Sequence, residues 1–415
     1  MKKVPVDNSA ILYLALLRKH HTNIFRFTYT LKEAIDPVLL QTAVNQMYRR
    51  FPTVFAGFQP GFFQYSQVST LTPPQVKKDP GLLINMTREE IARCTCRVYY
   101  QDKEIIMEGF HAITDGYGMI AVLSTLTAEY LRLQYGLDIP MGYPIFDSGE
   151  EPKEEETEDS YLKYSDAKPL HLPSRYSYQL PGYNPKCGPI RQTIFQFPVE
   201  QLLAVSRKYG VSITALLSAV MASSVMELQH IRKEKQLRPV RIMVPIDLRK
   251  ILPSKTLRNF ILYALPTLEA TDYGTDIKEL AQKFSKQIKA HLDKDNLMGI
   301  IAYNVRTQNL PVFRILPANV KCGLMRLAYR FFGESNSSLT MTNLGNIILP
   351  EPMKDHVSAF RLTMMPRMRS PYNCGMYSYN GQFYINLSRF PEASDLEQIF
   401  SRKLQQVLQK EGFAL

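Results

Sequence analysis

Residues 145–190 interrupt the hydrophobic pattern of this chain and divide it into two halves. The segment 147–159 contains eight acidic residues and one lysine, and five prolines follow it between positions 169 and 189. A stretch with this composition buries too little apolar surface to offset the entropy of ordering it, so 147–159 is predicted to be a mobile, solvated linker that chemistry does not need. The predicted halves are 1–165 and 166–415.

The N-terminal half combines alternating strand patterns with amphipathic helix patterns. Phe25, Phe27, Tyr29 and Leu31 lie on one face of a predicted strand over 23–31, as expected of a half-buried strand. Asp36-Pro37 predicts a helix start. A long helix is expected at about 117–135, and further strands are predicted at 61–68, 93–100 and 103–110.

The C-terminal half repeats the combination, although no internal sequence repeat is visible. Asn380-Gly381 lies between two strand patterns and predicts a type I′ hairpin. A strand is predicted at 240–246, and helices are predicted at 213–230, 276–292 and from about Ser394. The fold class is therefore mixed α/β, with mixed sheets in both halves.

Charge and composition narrow the function classes. The 415 residues carry a net charge of +12, which suits nucleic acid, a membrane surface or a phosphorylated small molecule. Nucleic acid is the least favoured, because zinc-finger and RNA-recognition signatures are missing. No apolar run reaches the roughly 20 residues of a transmembrane helix, so a soluble, cytoplasmic protein is expected. The five cysteines have no histidine at ligand spacing, so no metal site is expected.

The segment 109–116 is the part of the sequence that most suggests chemistry. It reads Gly-Phe-His-Ala-Ile-Thr-Asp-Gly between a predicted strand and a predicted helix, so His111 is expected at a strand end facing a cleft. Histidine suits general-base catalysis because its ordinary pKa lies near neutrality. From the residues alone, a buried His111 satisfied by Asp115 is an equally good interpretation.

Five landmarks in a fixed order give this motif a context. They are Ile35 to Pro52, His111 to Gly116, Tyr209 to Leu217, Val244 to Arg249 followed by Asn259-Phe260, and Thr342 to Gly345. Together they resemble the chloramphenicol acetyltransferase-like superfamily, which includes HXXXD acyltransferases, alcohol acetyltransferases and the condensation domains of peptide synthetases. The alcohol acetyltransferases are the most similar group.

The resemblance implies two related α/β subdomains that meet around a tunnel, with His111 at its middle. It further implies that acyl-CoA, with acetyl as the expected acyl group, enters from one end and a small alcohol or amine from the other. The histidine deprotonates the acceptor, which attacks the thioester directly. No acyl-enzyme and no bound cofactor are required, and a monomer is expected.

The resemblance also implies roles for residues around His111. Asp115 is expected to turn away from the substrate and pair with Arg249, and Gly116 to permit the turn into the helix. Thr342 and Asn343 are candidates for contacts with the substrate or the oxyanion. An equally good interpretation is that Thr342 and Asn343 only hold their own strand in place.

Two departures from the family pattern keep alternatives open. Phe110 stands where condensation domains usually have a second histidine, and Arg258 stands where a glycine is common. A condensation-like enzyme with a carrier-bound acyl donor and a catalytically silent binding module are therefore retained as alternatives. The basic stretch 230–238 is either a contact for coenzyme A phosphates or a solvated connection. Three interpretations of the basic, apolar segment 310–332 are open: it packs in the core, it faces a hydrophobic acceptor, or it makes peripheral contact with a membrane.

Overall fold

The computed structural model describes residues 3–18, 23–81, 83–182, 190–311, 315–329, 333–367, 370–390 and 395–413. In chain order, the strands are β1 Lys3–Pro5, β2 Ile24–Leu31, β3 Ala56–Pro60, β4 Tyr65–Ser69, β5 Lys77–Lys78, β6 Cys96–Gln101, β7 Glu104–Phe110, β8 Arg191–Pro198, β9 Val240–Asp247, β10 Ile261–Ala264, β11 Thr267–Leu268, β12 Leu339–Asn346, β13 Val357–Met364, β14 Tyr372–Tyr379 and β15 Gln382–Arg389. The helices are α1 Asn8–Ala15, α2 Pro37–Met47, α3 Arg88–Arg93, α4 Gly116–Tyr135, α5 Glu154–Thr157, α6 Ser160–Lys163, α7 Val199–Tyr209, α8 Ile213–Ile231, α9 Ile277–His291, α10 Lys294–Gln308, α11 Ala318–Ala328, α12 Glu351–Lys354 and α13 Asp395–Lys410.

Most of the predicted elements are confirmed. The exception is the strand expected at 61–68, which is confirmed only from Tyr65 onward, because the chain turns at 61–64 to form the β3–β4 hairpin. Gly61 donates its backbone N–H to the carbonyl of Gln64 across this turn. Proline followed by glycine at 60–61 favours such a turn. The expected helix start at Ser394 lies outside the described residues.

The N-terminal sheet has the order β13-β2-β7-β6-β5. Strand β13 comes from the C-terminal half and pairs antiparallel with β2, so that Leu362 lies opposite Phe27. Both side chains belong to the same hydrophobic core. The C-terminal half therefore contributes an edge strand to the N-terminal sheet, a pairing that joins segments over 300 residues apart. The proposed division at residue 165 stays a prediction.

Helix α4 covers this sheet and begins immediately after the His111 segment. Asp115 is its N-cap and Gly136, with φ 66°, ends it in the left-handed conformation that glycine adopts most readily. The residues from Gly118 to Leu131 are buried, and Ser124 hydrogen-bonds Tyr29 of β2 at 3.0 Å. Burial on every side fixes the helix, and with it the position of the loop that precedes it.

The C-terminal sheet has the order β10-β9-β12-β14-β15-β8, and β11 pairs with β9. Its core contains α8, α9 and α13. A smaller core lies beneath the segment 248–262 and includes Leu248, Phe260 and Ile301. This smaller core holds the segment that reaches across to His111.

None of the described helices is by itself long and apolar enough to cross a membrane. Helices α7 and α8 together satisfy the length and composition of a span, but they are bent by 87° relative to each other. Most residues of α8 are buried in the C-terminal core.

The acidic segment 147–159 is partly packed, so the prediction of a fully solvated, mobile linker is wrong. Glu156 is buried and accepts two hydrogen bonds from the buried guanidinium of Arg50, at 2.5 and 2.8 Å. The backbone N–H of Leu257 donates to the carbonyl of Glu156 at 2.8 Å. Composition conceals this packing because the partner, Arg50, lies about a hundred residues earlier in the chain.

Replacing Glu156 by alanine is therefore expected to lower the free energy of unfolding by about 3–5 kcal/mol, because the Arg50 guanidinium stays buried without its counter-ion. Glu151→Ala, at an exposed position of the same segment, is the control and should change it by less than about 0.5 kcal/mol. Urea unfolding of both variants measures the difference. Equal effects would show that the segment behaves as a solvated linker.

Candidate active site

His111 follows the last residue of β7, at the end of the N-terminal sheet. Its backbone N–H donates to the carbonyl of Asn23 at 3.1 Å. The half-buried imidazole lies between two aromatic rings. Tyr13 of α1 stacks on it with centroids 4.7 Å apart and planes 13° apart, and Phe25 of β2 lies 4.9 Å away. These two rings fix the plane of the imidazole.

Asn259, from the C-terminal half, fixes which nitrogen of His111 carries the proton. Its Nδ2 donates to the backbone carbonyl of His111 at 2.9 Å, which leaves its Oδ1 3.3 Å from the imidazole Nδ1. An amide oxygen only accepts hydrogen bonds, so Nδ1 must carry the hydrogen. The neutral ring then has its lone pair on Nε2, as a base acting through that atom requires.

The surroundings of His111 also favour its neutral form. Burial lowers the pKa of the imidazole below its ordinary value of 6.5. A hydrogen bond to its own backbone, the charge of Asp115 and the contact with Asn259 oppose this effect without cancelling it. At neutral pH the ring is therefore an uncharged proton acceptor.

Asp115 uses both carboxylate oxygens to hold the loop. Oδ1 accepts the backbone N–H groups of Tyr117 and Gly118 at the start of α4, at 3.1 and 3.3 Å. Oδ2 accepts the guanidinium of Arg249 and the backbone N–H of Phe260, both at 2.9 Å. The predicted pairing of Asp115 with Arg249 is confirmed. Four donors leave this carboxylate little capacity for a substrate proton.

Arg249 joins the two halves through further contacts. Its side chain is 5% exposed, donates to Asp247 at 2.9 Å and lies over the ring of Tyr117 at 4.5 Å. It also donates to the backbone carbonyls of Thr256 and Arg258, at 2.9 and 2.6 Å. Burial lowers the pKa of the guanidinium, but the two aspartates outweigh burial and raise it. Arg249 is therefore a permanent cation that shapes the 249–260 segment around His111.

Neighbouring atoms leave no room for a side chain at Gly116 or Gly118. Gly116 is not in the left-handed region, so a tight turn is not the reason for this glycine. A Cβ there would meet the side chain of Leu344 in β12 at 2.6 Å. A Cβ on Gly118 would overlap the carbonyl oxygen of Leu257, which also accepts a 2.6 Å hydrogen bond from Thr114. The His111 loop thus contacts backbone and side chains of the C-terminal half directly.

Gly118→Ala is expected to be more damaging than Gly116→Ala. The Leu344 methyl group at Gly116 can rotate away, whereas the Leu257 backbone at Gly118 is held by hydrogen bonds. Overpacking of this kind costs about 1–3 kcal/mol, so Gly118→Ala should lower the melting temperature by several degrees. Thermal unfolding of both variants checks this order. A Gly116→Ala protein with the lower melting temperature would contradict it.

Thr342 and Asn343 differ in their hydrogen bonding. The amide of Asn343 donates to Thr214 at 3.0 Å, and its oxygen accepts the backbone N–H of Gly345 at 2.9 Å. Asn343 therefore fastens the strand. The Thr342 hydroxyl is buried and has no hydrogen-bond partner among the described residues. This buried hydroxyl stays a candidate for a substrate contact.

Sequence reasoning missed the contribution of the N-terminal segment. Asp7 caps α1 and forms a buried ion pair with Arg258 at 3.2 Å. Arg258 also donates to the carbonyl of Pro5 at 2.8 Å. These contacts hold α1, and with it Tyr13, over His111. Arg258 in place of the usual glycine was the available signal, since an arginine beside a site residue needs a partner when it is buried.

Metal binding and the basic stretch 230–238 are separate questions from the geometry around His111. The described residues contain no group of three or more His, Cys, Asp or Glu side chains arranged to hold a metal ion. His230, Lys233, Glu234 and Lys235 line a surface pocket after α8. A role for this stretch in binding coenzyme A phosphates stays a prediction.

Comparison with known proteins identifies the fold. No family model matches the chain, and no curated protein matches it. Among solved structures, polyketide synthase associated protein 5 from Mycobacterium tuberculosis is 14% identical, with a TM-score of 0.63 and 98% of each chain covered. Trichothecene 15-O-acetyltransferase from Fusarium sporotrichioides is 11% identical, with a TM-score of 0.60 and coverage of 98% of this chain and 94% of that one.

A third similar structure widens the range of chemistry found on this architecture. The epimerization domain of the third module of tyrocidine synthetase B is 12% identical, with a TM-score of 0.60 and coverage of 99% of this chain and 96% of that one. At such identities the likeness establishes architecture, and function has to be argued from the site. The chain therefore has the two-subdomain fold of the chloramphenicol acetyltransferase-like acyltransferases and condensation domains, as its sequence landmarks implied.

Proposed function

We propose that this protein is an acyltransferase that moves an acyl group from a thioester to a hydroxyl or amine acceptor, with His111 as the general base. The observation that carries the proposal is the hydrogen-bonded pair of His111 and Asn259. It gives a neutral imidazole with a fixed orientation and a lone pair on Nε2. The structures with the same fold include an acetyltransferase and condensation domains, which fits this chemistry.

In the proposed reaction, the acceptor hydroxyl or amine donates its proton to Nε2 of His111 as its oxygen or nitrogen attacks the thioester carbonyl carbon. The carbonyl oxygen becomes negatively charged, and the Thr342 hydroxyl is the proposed donor to it. The carbon–sulfur bond then breaks, and the departing thiolate takes the proton from the imidazolium. The products are the ester or amide and a free thiol, with no acyl-enzyme.

The remaining site residues position His111. The buried contacts of Asp115 and Arg249 hold the loop in place, and Asn259 sets the tautomer. All of these groups come from one chain, so we propose that a monomer is competent. We propose acyl-CoA, with acetyl as the expected acyl group, as the donor. A carrier-bound acyl group is the alternative, because condensation domains share the fold.

The test is a thiol-release assay with acetyl-CoA and long-chain acyl-CoAs against a panel of small alcohols and amines. We expect thiol release that depends on the acceptor. A parallel assay with an acyl-phosphopantetheine carrier protein distinguishes the two donors, because a condensation-like enzyme would turn over the carrier-bound substrate faster. Thiol release from neither donor with any acceptor would support the binding-module alternative and overturn the proposal.

The pH dependence of the reaction should report on His111. The neutral ring is the base, so kcat/KM should rise with pH and level off as the imidazole loses its proton. Because burial lowers the pKa of His111 below 6.5, the half-maximal rate is expected below pH 6.5. Initial rates of thiol release in overlapping buffers measure the profile. A half-maximal rate clearly above this value would contradict the proposed environment of the base.

A further inference from the structure

The outer face of α11 and the tip of the β3–β4 hairpin form a continuous exposed apolar surface, which we call the α11 patch. At the hairpin tip, Phe62 and Phe63 are 73% and 49% exposed, and their rings contact each other. The patch consists of Phe62, Phe63, Ile315, Val320, Leu324 and Leu327, each at least 45% exposed. Contiguous exposed apolar surface of this kind marks an interaction site.

Helix α11 carries large apolar side chains on its solvent-facing side. Val320, Leu324 and Leu327 face outward, while Lys321 and Arg326 are half-buried and fasten the helix. Lys321 donates to the carbonyl of Phe63 at 2.8 Å, and Arg326 donates to that of Ala15 at 3.1 Å. Ala318 is the only buried residue of α11, so packing of this helix in the core, one of the interpretations of 310–332, is wrong for the described part.

The charge around the patch is positive. Neither 59–76 nor 315–329 contains an aspartate or glutamate. Burial raises the pKa of Tyr65, which lies beside the helix, and the Cys322 thiol adds to this effect, while the cations Arg326 and Arg88 oppose it. The charges acting on the Cys322 thiol are likewise those of Arg326 and Lys321. An occupant of this surface has to be apolar at its centre and anionic at its rim.

We propose that the α11 patch docks the protein on a membrane that contains anionic phospholipid. Phenylalanines at a hairpin tip and a helix with its apolar face outward insert into the headgroup–acyl boundary, while Lys and Arg beside them meet lipid phosphates. A second copy of the chain would instead bring the same cations against each other. The patch adjoins α1, the helix that places Tyr13 over His111, but the docking proposal does not depend on the proposed function.

The absence of tryptophan from the chain allows a direct test. Leu324→Trp places a single reporter in the patch, and Ile348→Trp places one at another exposed apolar position, 62% exposed and outside the patch. With vesicles of phosphatidylcholine and phosphatidylglycerol, the Trp emission of the Leu324→Trp protein should shift to shorter wavelength and that of the Ile348→Trp protein should not. Identical behaviour of the two reporters would overturn the proposal.

Vesicle co-sedimentation of the unaltered protein and the Leu324→Gln/Leu327→Gln double variant provides the second arm. The double variant should bind the anionic vesicles at least tenfold more weakly, since both exposed leucines would be buried in the bilayer on binding. Lys321→Gln should weaken binding about fivefold, and added salt should weaken it further. Equal binding by all variants would exclude docking through this face. A second outcome would also exclude membrane docking: no vesicle binding, together with a concentration-dependent dimer that the double variant does not form. That result would identify a second copy of the chain as the occupant of the patch.

Discussion

Replacing His111 by alanine is expected to lower the rate of acyl transfer by about 10²- to 10⁴-fold, the usual contribution of a positioned general acid–base. The loss should fall on kcat, because the histidine acts on the acceptor proton and the departing sulfur. The melting temperature should change little, since the ring is half-buried and its main contacts are two aromatic faces and one amide. Thiol release and thermal unfolding on one preparation measure both quantities.

His356→Ala is the matched control for this experiment. His356 is also half-buried and stacks on a tyrosine, Tyr135, with centroids 4.4 Å apart. It lies near the end of β2 that is opposite to the end near His111, because its carbonyl accepts the N–H of Lys32. Its loss should leave turnover unchanged. If His111→Ala instead retains normal turnover per folded molecule and loses stability, His111 is a structural histidine and the acyltransferase assignment fails.

Breaking the ion pair between Asp115 and Arg249 should lower both the stability and the activity of the protein. Both side chains are at most 5% exposed, so Arg249→Met leaves a buried anion, and Asp115→Ala leaves Arg249 with the partly exposed Asp247 as its remaining counter-ion. Each change is expected to lower the free energy of unfolding by about 3–5 kcal/mol. Activity should fall as well, because Asp115 holds the loop that carries His111. Urea unfolding and thiol release measure the two effects.

A double-mutant cycle tests whether the two residues act as a pair. The double variant should lose less stability than the sum of the two single losses, since neither charge is then buried alone. The exposed ion pair of Glu155 and Lys255 joins the acidic segment to the same 249–260 segment and provides the control cycle. Its coupling should be below about 1 kcal/mol. Additive losses at Asp115 and Arg249 would refute the bracing role.

The site shows where sequence reasoning succeeds. His111 and Asp115 were found because they lie in a short motif between a predicted strand and a predicted helix. The resemblance then implied the role of Asp115. Arg249 was found through the resemblance, and its 2.9 Å contact with Asp115 confirms the pairing. Asn259 was noted only as part of a landmark, since no local pattern shows that an amide 148 residues away faces the imidazole.

The N-terminal segment shows where sequence reasoning fails. Tyr13 and Asp7 belong to a short apolar helix pattern without any chemical signature, and their importance comes from the tertiary partners His111 and Arg258. The prediction for the acidic segment was wrong for the same reason. In the sequence Glu156 is one acidic residue among several, and only the structure shows its ion pair with Arg50. A charged residue can be identified as buried only when its ion-pair partner is known, and for both Asp7 and Glu156 that partner is distant in sequence.

The sequence by itself determined the local structure: the helices and strands, the start of α2 at Asp36-Pro37, and the hairpin at Asn380-Gly381. These depend on backbone preferences and periodic burial, which act over a few residues. Only the tertiary structure decided that β13 completes the N-terminal sheet, that Asn259 sets the tautomer of His111, and that α11 turns its apolar face outward. Such features depend on contacts between distant segments, and periodicity within one segment carries no information about which other segment will cover it.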